Sequence, residues 1–128
     1  MATFDMKAFA TFLKANVSKS PFGEGACAKH VRLALAAGGL KPATWPVAAK
    51  DWSPTLMALG FKALPANGHL PAKLGDIAVI QTTSESKYGH IEGYDGSNWI
   101  SDFAQREFWP GPSFRSETPA FMVYRWPV

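Results

Sequence analysis

The stretch GACAKHVRLALAAGG, residues 25–39, runs from a loop glycine to a glycine pair and carries the only cysteine of the chain. Four of its residues recur at helical spacing on one face: Cys27, Val31, Ala34 and Leu35. The pattern predicts an amphipathic helix that ends at the glycine pair. Cys27 then lies at the helix start, where free backbone N–H groups and the helix dipole stabilise a thiolate. Two roles remain open for Cys27: an inert thiol of the core, or a nucleophile.

Two further helices are predicted on either side of this one. In residues 5–16, DMKAFATFLKAN, the apolar residues fall at helical spacing and Asp5 is the expected N-cap. Farther along, Ser53 is the expected N-cap of a short helix, with Pro54 as its first residue and Gly60 as its C-cap. The first half of the chain is therefore predicted to be helical.

After Gly60 the pattern changes to short strand-like runs between turn residues: FKAL, DIAVIQ, GHIEGY, NWISDF and FMVYRW. The roughly 30-residue spacing of strand–helix–strand units is missing, so the sheet should be antiparallel and the fold class α+β. We found no internal repeat, low-complexity tract or linker in the sequence. One domain over residues 1–128 is expected.

Composition excludes several other classes of protein. With 47% hydrophobic and 18% charged residues, the 128-residue chain can bury a core without disulfides or metal. A net charge of +3 is spread along the chain without a basic stripe, so we expect no nucleic-acid partner. We also expect no Sec signal, because charged residues interrupt the apolar residues of the N-terminus, and no membrane span, because no stretch approaches about 20 apolar residues. Paired metal ligands and glycine-rich phosphate loops are missing, so no metal and no cofactor are predicted.

A cysteine nucleophile needs a base, and the three histidines are the candidates. His30 follows Cys27 by three residues on the same helix, where the two side chains have little freedom to meet. His69 lies in the turn NGHLP. His90 opens the predicted strand HIEGYD, and a strand end can pack against a helix start. We favour His90 over His30.

A third polar group usually fixes the orientation of the catalytic imidazole. If the hairpin after His90 turns through the three residues 95–97, Asp102 lies directly opposite His90. A two-residue turn would put Ser101 there instead, so the assignment depends on the register of the hairpin.

These motifs together resemble the NlpC/P60 and CHAP superfamily of papain-like peptidoglycan amidases and endopeptidases. The resemblance rests on GACAKHVRLALAAGG, then LGDIAVI, then YGHIEGYDGSNWISDFAQ, and it covers most of the chain. In that superfamily a cysteine opens a helix, a Gly-Asp pair starts the sheet, a histidine begins the next strand, and a third polar residue follows. The chain departs from NlpC/P60 in having alanines beside Cys27, and the third residue there is more often His, Asn or Gln than Asp.

The resemblance implies a papain-like, NlpC/P60-type fold with N-terminal helices on a small antiparallel sheet. It also implies a cysteine hydrolase that cuts an amide in the peptide stem of peptidoglycan, with Cys27 as nucleophile, His90 as base and Asp102 as third residue. Two rivals remain: a papain-like protease or deamidase acting on a protein, and a non-catalytic cell-wall binding module.

Delivery and partners are expectations of the same kind. The resemblance implies a monomer made in the bacterial cytoplasm that acts on the cell wall after export, injection or lysis. A phage lysin, a secreted effector and a housekeeping hydrolase all fit this description. An injected effector would require an immunity protein that blocks the Cys27 cleft.

Overall fold

The computed structural model describes residues 3–18, 26–65 and 70–127. The helices are α1 (Met6–Ala15), α2 (Cys27–Ala37), α3 (Ser53–Leu59) and α4 (Pro112–Glu117), with one 3-10 turn at Ala49–Asp51. The strands are β1 (Lys62–Ala63), β2 (Ile77–Ile80), β3 (His90–Tyr94), β4 (Trp99–Ile100) and β5 (Phe121–Arg125). The predicted α+β class is confirmed.

The five strands form one sheet in the order β1-β5-β2-β3-β4, and every pairing is antiparallel, as predicted. Strand β2 lies at the centre and all four of its residues are buried. Its last residue, Ile80, pairs with His90 on one side and with Phe121 on the other. The first residue of β3 is therefore anchored to the middle of the sheet.

Helices α1 and α2 pack against each other and against β3. As predicted, Asp5 caps α1, since its Oδ1 accepts the Ala8 N–H at 3.0 Å. The helix approaches β3 closely because Gly93 has no side chain: a Cβ there would lie 2.6 Å from Cζ of Phe9. The core lies between these helices and the sheet, and its members include Phe9, Leu13, Val31, Leu35, Trp52, Leu56, Ile77, Val79, Ile91 and Ile100.

Two element boundaries differ from the prediction. Helix α3 begins at Ser53, with Trp52 as its N-cap, so the predicted cap residue is the first residue of the helix. Helix α4, Pro112–Glu117, was not predicted from the sequence. It begins at Pro112, whose fixed φ suits the first turn of a helix. Among the described residues, no helix is long and apolar enough to cross a membrane.

Candidate active site

Cys27 is the first residue of α2, and its thiol faces the first residues of β3. The thiol hydrogen-bonds with the His90 side chain and with the backbone N–H of Ile91. Burial raises the pKa of the thiol, and the charge of Asp102 also raises it. The contacts with His90 and Ile91 outweigh both effects, so the pKa of Cys27 lies below its ordinary value. A lowered pKa favours the thiolate, which is the nucleophilic form.

The backbone before β3 fixes the position of His90. Gly89 has a φ of +69°, in the region that favours glycine, and a Cβ there would collide with the carbonyl oxygen of Ile80. The His90 side chain is buried, and the ring of Phe114 from α4 lies 5.8 Å from the imidazole. The imidazole therefore has a defined position beside the thiol.

Gln105 determines which ring nitrogen of His90 carries a hydrogen. The Gln105 amide nitrogen faces three acceptors: Glu92 Oε1 at 2.9 Å and the carbonyls of Glu107 and Phe108 at 3.0 and 3.2 Å. Its Oε1 consequently points at His90 Nε2, at 2.9 Å. An amide oxygen only accepts, so Nε2 must donate. In the neutral ring the hydrogen is on Nε2, which leaves Nδ1 free of that hydrogen and able to exchange a proton with the neighbouring Cys27 thiol.

Glu92 is the second group at this nitrogen. Its Oε1 lies 3.3 Å from His90 Nε2, and its side chain is fully buried. Burial lowers the pKa of His90, but the hydrogen bonds and charges of Cys27 and Glu92 outweigh it and raise the pKa to about 10. Burial also raises the pKa of the Glu92 carboxyl, although His90 and Gln105 oppose that effect. The three groups form one coupled proton system.

The hairpin after His90 does not have the three-residue loop that would place Asp102 directly opposite His90. Tyr94 pairs with Trp99, so the loop contains four residues, Asp95 to Asn98, instead of three. The Asp95 carboxylate accepts the N–H groups of Ser97 and Asn98 and stabilises this longer turn. Ser101, the alternative third residue, does not face His90 in this register either.

Asp102 nevertheless lies in the site. Its Oδ2 accepts the backbone N–H of Ala26, the N-cap of α2, at 3.0 Å, and the side chain is buried. The carboxylate therefore satisfies a backbone donor at the helix start that carries Cys27. Its negative charge raises the pKa of the Cys27 thiol. Asp102 acts on the cysteine end of the site.

The other two candidate bases have different positions. His30 is buried in α2, where its Nε2 lies 3.2 Å from the Leu13 carbonyl and its ring contacts Phe12. It joins α2 to α1 and is engaged away from Cys27. His69 lies outside the described residues.

Gln105 and Glu92 were not predicted as site residues, although the sequence position of each pointed to the site. Glu92 follows His90 by two residues on a strand, so the two side chains share a face. Gln105 closes the stretch on which the superfamily resemblance rests, and Gln is among the third residues of that superfamily. The predicted hairpin register assigned the role of third residue to Asp102 instead.

A cleft of about 590 Å³ opens over Cys27 and His90. Its walls come from the start of α2, the segment before β3 and the start of α4, and they include Lys29, Val47, Glu85, Tyr88, Asp102, Phe103 and Ser113. The described residues contain no group of three or more His, Cys, Asp or Glu side chains placed to hold a metal. A cleft of this volume has room for a small molecule or a short peptide segment beside the thiol.

These features define an α+β protein in which a cysteine at a helix start meets a histidine at a strand start within a cleft. No protein-family model and no curated protein sequence matches the chain. Solved structures do match. The chain is similar to one in the crystal structure of the native type VI effector–immunity complex Tae3–Tai3 from Ralstonia pickettii, with 37% identity and a TM-score of 0.86. The match covers 97% of this chain and 100% of that one.

A selenomethionine form of the same Tae3–Tai3 complex also matches, with 37% identity, a TM-score of 0.82, and coverage of 91% of this chain and 98% of the other. Identity at this level over nearly the full length of both chains shows common ancestry as well as a common fold. The chain belongs to the Tae3 family of type VI effectors.

Proposed function

We propose that this protein is a cysteine hydrolase that cleaves an amide bond in the peptide stem of peptidoglycan. The observation that carries the proposal is the pairing of Cys27 at a helix start with a histidine whose Nε2–H is held by Gln105. The papain-like, NlpC/P60-type order of motifs supports this substrate class. Membership of the Tae3 family supports a role as a type VI effector.

The proposal includes a proton path for this reaction. The Cys27 thiolate attacks the amide carbonyl carbon, and the oxyanion that forms lies near backbone N–H groups of the first turn of α2. His90 gives its Nδ1 proton to the leaving amine as the C–N bond breaks, which leaves a thioester on Cys27. The neutral ring then takes a proton from water, and the resulting hydroxide attacks the thioester. The stem carboxylate is released and Cys27 returns as thiolate beside imidazolium.

Digestion of purified sacculi tests the substrate class. Purified protein is incubated with sacculi, and the released fragments are analysed by mass spectrometry. We expect muropeptides cut at one amide of the stem, with intact glycan bonds, and no release by Cys27→Ala. Glycan cleavage, or equal release by Cys27→Ala, would contradict the proposal. Intact sacculi together with cleavage or deamidation of a protein substrate would favour the rival protease reading.

Cys27 and His90 are expected to act as one unit. Each single substitution, Cys27→Ala or His90→Ala, should remove nearly all activity, and the double variant should lose little more. Rates of muropeptide release from all four proteins measure this. Losses that multiply in the double variant would show that the two residues act independently and that another group is the base.

We further propose that an immunity protein covers the cleft and that the site of action is the periplasm of a target cell. The similar Ralstonia pickettii chain was crystallised in an effector–immunity complex. Iodoacetamide labelling of Cys27, the single cysteine, measures access to the cleft. Added Tai3 from Ralstonia pickettii that binds this chain should slow labelling. Binding that leaves labelling unchanged would place the partner away from the cleft.

A further inference from the structure

Glu92 is a fully buried carboxylate on β3 that the mechanism above leaves without a role. One of its oxygens, Oε1, receives the Gln105 amide N–H at 2.9 Å and lies 3.3 Å from His90 Nε2. The other, Oε2, is buried without a hydrogen-bond partner among the described residues. Burying a carboxylate is costly unless a positive charge or hydrogen bonds compensate it. Its position beside His90 therefore needs an explanation.

Charge separates the roles of the two groups at Nε2. Gln105 is neutral, so it can orient the imidazole but cannot offset the positive charge of an imidazolium. Among the described residues, Glu92 is the carboxylate within ion-pair distance of His90. It is thus the group that can favour the protonated ring.

The other groups around His90 do not replace this charge. From α2 the neighbour is Cys27, and from α4 it is the uncharged ring of Phe114. The segment after β4 contributes Gln105, together with Asp102, whose charge acts on the thiol. Lys29 and Glu85 line the cleft as charged residues, and Lys50 of the 3-10 turn lies close to Gly89. A cation or an exposed carboxylate at these positions is less effective than a buried anion in contact with the ring.

We propose that Glu92 is a positioning residue that supplies the negative charge holding His90 as an imidazolium beside the Cys27 thiolate. Its part in catalysis rests on the proposed function, but its effect on His90 does not. Glu92 keeps its charge through the cycle. The proton given to the leaving amine comes from Nδ1 and is replaced from water, while Nε2–H stays between Gln105 and Glu92.

Histidine NMR tests the proposal without any substrate. The Cε1–H signals are titrated in four proteins: wild type, Glu92→Gln, Cys27→Ala and the Cys27→Ala/Glu92→Gln double variant. The Cys27→Ala background isolates Glu92 from the thiolate. Glu92→Gln should lower the pKa of His90 by about one pH unit or more in both backgrounds. The signals of His30 and His69 serve as internal references.

Glu107→Gln is the matched control. It removes a carboxylate two residues from Gln105, but that side chain is exposed and pairs with Arg115. We expect an unchanged pKa of His90 in this variant. An unchanged pKa of His90 in Glu92→Gln would overturn the proposal, because it would mean that Glu92 is uncharged in the native protein.

A second measurement uses only the wild-type protein, so its result does not depend on whether a variant folds. The ¹³C shift of the Glu92 side-chain carboxyl in the wild-type protein at neutral pH should be that of an ionised carboxylate. The shift of a protonated carboxyl there would overturn the proposal. In muropeptide release, Glu92→Gln should move the alkaline limit of kcat to lower pH with KM unchanged. Failure to cleave sacculi would contradict the proposed function and leave the NMR result as it stands.

Discussion

At the residue scale, the hydrogen-bond partners of Gln105 and His90 determine where the hydrogens of the site lie. Three acceptors fix the Gln105 amide, the amide fixes the Nε2 hydrogen of His90, and Nδ1 is left for the thiol. In the proposed mechanism, the uncharged Gln105 sets which nitrogen of His90 reacts, and the buried carboxylate of Glu92 sets how strongly the ring holds its proton. Orientation and charge come from two different side chains here.

This pairing predicts the pH dependence of hydrolysis. The rate needs the thiolate and the imidazolium together. The thiolate forms as pH rises past the lowered pKa of Cys27, and the imidazolium is lost as pH rises past the pKa of His90, about 10. Muropeptide release should therefore rise as pH passes the lowered pKa of Cys27, stay near its maximum between the two pKa values, and fall on approaching pH 10. A decline centred near the ordinary histidine pKa of 6.5 would contradict the ion pair.

Asp102 gives a second prediction, with the opposite direction from a conventional third residue. Its charge raises the pKa of the Cys27 thiol, so Asp102→Asn should lower that pKa further. The amide oxygen can still accept the Ala26 N–H, which preserves the helix cap. The pH dependence of iodoacetamide labelling measures the change, with Glu117→Gln, an exposed carboxylate on α4, as control. A midpoint that moves to higher pH would show that Asp102 favours the thiolate.

At the element scale, α1 must lie close to β3, and Gly93 makes this possible. An added Cβ at Gly93 would lie 2.6 Å from Phe9 Cζ and 3.0 Å from Leu13 Cδ1, both in the core. Gly93→Ala should reduce the free energy of unfolding by about 1–3 kcal/mol, as overpacked cores do. Urea unfolding measures it. Gly111→Ala is the control, because an added Cβ there meets nothing within 4 Å. Equal stabilities of the two variants would contradict the close approach.

Elements were predictable from the sequence where one local signal sufficed. Asp5, the glycine pair after α2 and the apolar run of β2 each identify an element by spacing or capping alone. The hairpin was not predictable in the same way, because register depends on the loop. Asp95 binds two N–H groups at once and adds a fourth residue to the turn. A shift of one residue moves every side chain to the other face, so Asp102 left the predicted place.

The site also depends on a residue that carries no regular pattern. Gln105 follows β4 in an irregular segment, which has no helical or strand periodicity from which its position could be predicted. It reaches His90 only because the chain doubles back after Ile100, which bridges to Ala104. Contacts of this kind between irregular backbone and a strand are set by the tertiary fold. The places of Cys27 and His90 in the fold were predictable because each residue opens a regular element.

At the scale of the whole molecule, a partly buried ion pair joins the start of the central strand β2 to β5. Asp76 precedes β2 and is fully buried. Its two carboxylate oxygens receive Arg125 Nε at 2.9 Å and a terminal nitrogen of Arg125 at 2.8 Å, and the backbone N–H of Lys73 at 2.9 Å. The aspartate of the Gly-Asp motif therefore joins β2 to β5, and among the described residues its contacts lie away from the cleft.

Because of this ion pair, we expect Asp76→Ala to lower the free energy of unfolding without lowering the rate of hydrolysis. Asp76→Ala leaves Arg125 without its partner and the Lys73 N–H without its acceptor, and should cost about 2–3 kcal/mol of unfolding free energy. The cost stays below that of a fully buried pair because Arg125 is 25% exposed. Arg125→Met should be destabilising as well, and the double variant should lose less than the sum of the two. Urea unfolding of the four proteins measures this coupling.

At a temperature where each variant stays folded, the rate of muropeptide release should match that of the wild type. A fall in kcat in folded Asp76→Ala would mean that the sheet transmits this contact to His90.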